Sequence, residues 1–145
     1  MNKQSFLIYI IDDDMVFSRS ISYQLTKNLP RNINIKVFAS FDEFMLNTKQ
    51  KPDVVILDYY LKNKDSLDGI VLLQKIKQVL NDTDVVILAG ESSIEMALET
   101  FKNGAYDFIR KNDAVFLRIK YTIEFILDRY KEKQASTNHY YNGKS

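Results

Sequence analysis

Three aspartates and a lysine stand at the ends of short apolar runs, and their types suit one kind of chemistry. Ile8-Tyr9-Ile10-Ile11 closes on Asp12-Asp13, Val54-Val55-Ile56-Leu57 closes on Asp58, and Tyr106-Asp107-Phe108-Ile109 is followed by Arg110-Lys111. Runs of this length read as strands of a buried parallel sheet. Their ends then bring three carboxylates and one ammonium to the same edge. Two unit charges about 4 Å apart repel by roughly 4 kcal/mol at an effective dielectric of about 20, so the acidic cluster carries a strain on the order of 10 kcal/mol. A bound cation or raised pKa values relieve it. A hard divalent cation in oxygen ligands, with a lysine beside it, suits the handling of a phosphoryl group.

The elements that must position these groups follow from the alternation of apolar strand runs with stretches of helical period, which is the pattern of βα units. The reading is β1 near 5–11, α1 near 15–29, β2 near 33–38, α2 near 41–48, β3 near 53–58, α3 near 68–80, β4 near 84–88, α4 near 93–102, β5 near 106–109 and α5 from about 113. Ser40-Phe41-Asp42-Glu43 and Ser92-Ser93-Ile94-Glu95 read as capping boxes, Pro30 stops α1, and Gly104 stands where α4 needs a left-handed residue. Right-handed crossovers wrap such a sheet on both faces, and ligands bind outside the carboxyl ends of its strands. The acids lie there. Between Asp58 and α3 the polar connection Tyr59–Gly69 is longer than most βα loops and is expected to overhang them. Val115, Ile119, Ile123, Ile126 and Tyr130 hold a helical stripe in α5, after which the sequence is polar and unpatterned. One domain over residues 1–134 and a frayed tail over 135–145 are therefore expected.

Composition narrows the function classes. A chain of 145 residues, 46% hydrophobic and 27% charged, is ordinary for one globular domain. Twenty Lys+Arg against 19 Asp+Glu leave a formal charge of +1, so no global field favours nucleic acid or an acidic membrane surface. The absence of Cys excludes disulfides, thiolate metal sites and a cysteine nucleophile, and fits a reducing compartment. No apolar run approaches the ~18 residues of a membrane helix, and the N-terminus has no apolar leader segment. A cytoplasmic location is the expectation. His139 is the single histidine, so neither a histidine triad nor a histidine metal cluster can be built, and Gly143-Lys144-Ser145 lacks the first glycine of a phosphate loop.

From about Phe6 to the end of α5 the order of these signals resembles the receiver domain of two-component response regulators. Asp12-Asp13 matches the acidic pair after the first strand, and Asp58 the phospho-accepting aspartate after the third. Asp68-Gly69 matches the turn opening the third helix, Gly104-Ala105 the small pair before the last strand, and Lys111 the lysine after it. Gly104 and Lys111 lie fifteen and twenty-two residues beyond Ala89, spacings like those the family shows from its β4 hydroxyl residue. Asp14 also follows β1, but Asp12 and Asp13 come immediately after the strand. The resemblance implies a doubly wound α/β fold, flavodoxin-like and similar to the chemotaxis regulator, with five parallel strands in the order 2-1-3-4-5. It implies Asp58 as nucleophile toward a phosphohistidine and Lys111 as a phosphoryl contact. Mg²⁺ would be held by Asp13, Asp58 and the backbone carbonyl of Tyr60, with Asp12 holding a metal water. The implied partners are a sensor histidine kinase or phosphotransfer protein, and a second copy across α4-β5-α5.

Four positions depart from the family pattern. Ala89 replaces the β4 Ser or Thr, Phe108 replaces the switch tyrosine, Asn112 replaces the proline after the lysine, and the β3–α3 loop is longer and lacks proline. A hydrogen bond to a charged group is worth about 1.5–3 kcal/mol, so its loss weakens the bias toward the active conformer by roughly 10- to 100-fold. Phosphorylation chemistry survives these changes better than the switch does. The leading expectation is a phospho-acceptor in a phosphorelay. Ala89 and Phe108 motivate a pseudo-receiver that binds a partner without phosphorylation, and a small Mg²⁺-dependent phosphohydrolase is the weakest of the three readings.

Overall fold

The computed structural model describes residues 5–30, 32–62 and 68–142, and part of the long β3–α3 connection and the glycine-lysine-serine end of the chain lie outside it. The chain runs β1 (Phe6–Ile11), α1 (Met15–Asn28), β2 (Ile33–Phe38), α2 (Phe41–Met45), β3 (Val54–Asp58), α3 (Gly69–Val79), β4 (Asp84–Ala89), α4 (Ile94–Lys102), β5 (Asp107–Arg110) and α5 (Val115–Asn142). All strand pairs are parallel and the order is β2-β1-β3-β4-β5, the doubly wound arrangement expected. Register sets the functional edge. Ile11 pairs with Leu57 and Asp58 with Leu88, so β1, β3 and β4 finish nearly level.

Alternation along each apolar run divides it between two cores. Ile8, Ile10, Val54, Ile56, Val86 and Leu88 pack with Ile21 and Leu25 of α1 and Ile119 and Ile123 of α5. The intervening Tyr9, Ile11, Val55, Leu57, Val85 and Ile87 pack with Phe44 of α2 and Leu72, Leu73 and Ile76 of α3. Apart from Asp84 and Asp58 at their ends, the central strands β1, β3 and β4 are hydrophobic throughout because both faces are covered. Edge strand β2 instead alternates partly buried and exposed residues.

Local signals account for most helix boundaries. Asp14, Ser40, Asp68 and Ser93 cap α1 to α4 by accepting a backbone N–H of the first turn. The cap of α4 is Ser93 rather than Ser92: its Oγ accepts from the N–H of Met96, and with methionine at that position the α4 cap is a single serine bond instead of the expected box. Gly104 has φ +97°, in the region only glycine enters freely. At the far end, α5 continues through the stretch expected to fray and reaches Asn142. Loss of apolar pattern removes a packing face, not helix propensity. No proline or glycine interrupts residues 113–142, and the next glycine is Gly143.

Candidate functional site

Strand ends and helix starts assemble the acidic pocket. Asp12 extends the β1 ladder by donating its N–H to the Phe38 carbonyl at 3.1 Å, and its side chain is buried at the strand end. Asp58 closes β3 and is 7% exposed. Asp13, the next residue after Asp12, turns toward solvent, and its Oδ2 accepts from the Lys62 N–H at 3.4 Å. One oxygen each of Asp12, Asp13 and Asp58 falls within 4.8 Å of the others. Asp14 stands apart from this group, because its Oδ1 accepts the Phe17 N–H at 3.0 Å and caps α1.

Lys111 reaches the same pocket from β5. Its N–H donates to the Ala89 carbonyl at 2.9 Å, which carries the β4–β5 ladder one step past the strand. The ammonium donates to Asp12 Oδ2 at 2.9 Å and lies 3.6 Å from Asp58 Oδ1. The Phe17 ring, one helical turn beyond Asp13, sits 4.5 Å from that ammonium and offers it an aromatic face. The sequence reading missed Phe17. Its only signal was placement in the first turn of the helix that follows the acidic pair.

Burial raises the Asp58 carboxyl to about 6, and the neighbouring charge of Asp12 adds to the rise. Lys111 and the Tyr60 N–H, which donates to Asp58 Oδ1 at 3.3 Å, pull it down, and Asp13 contributes a smaller increase. Three carboxylates face one ammonium, so the formal charge of the cluster is not balanced. An all-oxygen donor set with uncompensated negative charge fits a hard divalent cation.

The opposite end of the edge is apolar. Ala89 ends β4 fully buried and pairs with Arg110. Phe108 is half-buried and packs against the core under α2 and α3. Asn112 turns the chain into α5, its Oδ1 accepting from the Ala114 N–H at 2.9 Å. Tyr60 was expected only as a backbone ligand, but its hydroxyl also donates to the Glu91 carbonyl at 3.3 Å.

A family model for the response regulator receiver domain matches residues 8–118, and the chain belongs to that family. A response regulator of Rickettsia felis described as NtrX-like is 33% identical over 122 residues, which cover 81% of this chain and 25% of that protein. The transcriptional regulator NtrC of Salmonella typhimurium is 27% identical over 146 residues, covering 97% of this chain and 29% of the regulator. The chain thus spans about a quarter of the length of the curated relatives it matches. Among solved structures, a CheY-like receiver domain protein from Methanospirillum hungatei superposes with a TM-score of 0.73 at 19% identity, covering 88% of this chain and 98% of that one. A response regulator from Burkholderia pseudomallei, solved with a phosphorylated aspartic acid, calcium ion and citrate, gives 0.69 at 21% identity, covering 91% and 75%. At these identities the likeness is one of fold. No described helix is long and apolar enough to cross a membrane.

Proposed function

We propose that this receiver domain accepts a phosphoryl group on Asp58 from a histidine kinase or phosphotransfer protein. The observation that carries the reading is Lys111, whose ammonium spans Asp12 at 2.9 Å and Asp58 at 3.6 Å inside a three-carboxylate pocket. The phosphorylated aspartic acid and calcium ion of the Burkholderia neighbour support it. A carboxyl titrating at about 6 is ionised at neutral pH and is a stronger base than an ordinary aspartate. An Asp58 oxygen attacks phosphorus, forming an acyl O–P bond as the N–P bond of a phosphohistidine breaks and its electron pair returns to the imidazole. Lys111 binds a phosphoryl oxygen, and its release from Asp12 or Asp58 frees it to do so. Asp12, Asp13, Asp58 and the Tyr60 backbone carbonyl would hold Mg²⁺, which when bound supplies charge neutralisation for the phosphoryl oxygens. Catalysis is confined to this self-catalysed transfer and to hydrolysis of the acyl phosphate, in which water takes the phosphoryl group and Asp58 is regenerated.

Incubation with acetyl phosphate and Mg²⁺ tests the assignment. The parent should gain one phosphate by intact mass, and equal labelling of Asp58→Asn refutes the site. Residues 1–134 form the receiver unit on this reading. Exposed Ile94, Leu98 and Phe101 on α4 and Leu117, Tyr121 and Phe125 on α5 support pairing of two copies through the α4-β5-α5 face. Sedimentation with and without beryllofluoride measures that. The balanced charge of +1 supports a protein partner over direct nucleic-acid binding. Ala89 and half-buried Phe108 favour, as a second reading, a module that binds its partner without phosphorylation. Unlabelled parent protein would select it.

A further inference from the structure

Tyr60 touches the phospho-acceptor and the next loop at once. Its main-chain N–H donates to Asp58 Oδ1 at 3.3 Å, while its hydroxyl donates to the Glu91 carbonyl at 3.3 Å and lies 3.9 Å from the sulfur of Met96. Glu91 belongs to the β4–α4 loop and Met96 to the first turn of α4. The neighbouring Tyr59 anchors this strut. Its N–H donates to the Leu88 carbonyl at 2.7 Å, and its ring meets that of Tyr60 edge-on with centroids 5.0 Å apart. A Cβ on Gly69 would come within 2.5 Å of the Tyr59 ring, so the glycine opening α3 lets that ring seat against the helix. Tyr60 is therefore braced by packing on one side and hydrogen-bonded to α4's entry on the other.

Ala89 has no hydroxyl with which to sense a phosphoryl group from β4. We propose that Tyr60 is the positioning residue that couples the state of Asp58 to the β4–α4 loop, the contact passing through its ring rather than through β4. The inference rests on the phospho-acceptor reading. A phosphoryl group adds about −1.5 to −2 charge and three acceptor oxygens, so loading Asp58 changes the acceptor that the Tyr60 N–H faces. A tyrosine side chain has only two torsions, and a shift of its main chain is carried to the hydroxyl. The coupling requires the hydroxyl contact to differ between the two states.

Hydrogen exchange across Gly90–Met96, with and without Mg²⁺ and beryllofluoride, tests it on the full chain. Fluorine NMR of the bound mimic sets occupancy, so parent and variant are compared at equal loading. Tyr60→Phe should exchange roughly 2- to 10-fold faster than the parent across this segment at rest, the range one neutral hydrogen bond supplies. The change that beryllofluoride produces there in the parent should shrink toward zero. Tyr59→Phe, which removes a hydroxyl from the bracing ring, should keep the parent's response. A Tyr60→Phe response equal to the parent's overturns the coupling and leaves the phospho-acceptor reading standing. A parent that binds no beryllofluoride overturns both.

Discussion

The two halves of the carboxyl edge of the sheet are built from opposite materials. Where β1 and β3 end, Asp12, Asp13 and Asp58 converge with Lys111, and each of the three carboxylates accepts a hydrogen bond. Where β4 and β5 run side by side, Ala89 is fully buried and Phe108 packs into the core. The first half gathers three carboxylates and an ammonium, whereas the described β4 end presents a methyl group and an aromatic ring. On the proposed reading, accepting a phosphoryl group and reporting it are tasks of different residues, and one can change while the other is kept.

The sharpest break in that contrast is Asp58→Asn, for which labelling by acetyl phosphate should fall from one phosphate per chain to none. Lys111→Ala should slow labelling while leaving the site present. Residual labelling of Asp58→Asn at another acid would move the chemistry out of the polar half and would be visible by peptide mass.

Stability measures the same contrast next. The folded Asp58 value of about 6 lies above the ordinary 3.8, so between those pH values the folded chain binds more protons than the unfolded one. Stability then falls as pH rises through this window, and above about 6 the whole penalty is present. At 1.36 kcal/mol per unit the cost is on the order of 3 kcal/mol. Asp58→Asn should exceed the parent in urea melts at pH 8 without divalent cations, and the gain should vanish near pH 4. A pH-independent difference would show that Asp58 is not under electrostatic strain. Mg²⁺ should relieve that strain at neutral pH, adding ~2.7 kcal/mol at a hundredfold excess over its dissociation constant. Asp13→Ala should remove most of that increment in thermal melts.

How much was legible in the sequence differs between the halves for a physical reason. Apolar runs buried on both faces mark their own ends, so the strands, their order once the family pattern was seen, and the meeting of Asp12, Asp13, Asp58 and Lys111 could be read from residue types. Capping was read at α2 and, one residue off, at α4, where loop geometry decides which of two adjacent serines accepts, while the aspartate caps Asp14 and Asp68 were not read as caps. The strut was not legible. Tyr60 and Glu91 are 31 residues apart, and their contact depends on how two loops lie over the edge, which no periodicity encodes. The length of α5 was misread because an absent apolar stripe was taken for an absent helix.

The smallest effect tests whether the apolar half can be returned to polar service. Ala89→Ser adds one oxygen at a fully buried position, and a serine there hydrogen-bonding a phosphoryl oxygen would favour the loaded conformer by about tenfold, the lower end for a charged partner. Beryllofluoride should then change exchange around α4 and Phe108 more than in the parent. Combining Ala89→Ser with Tyr60→Phe decides between two routes and one. If the serine restores the α4 response that Tyr60→Phe removes, coupling through β4 is an independent path that this chain lacks only for want of an oxygen. If it does not, the route through Tyr60 is required, and the buried β4 end plays no part in the signal even when given the means.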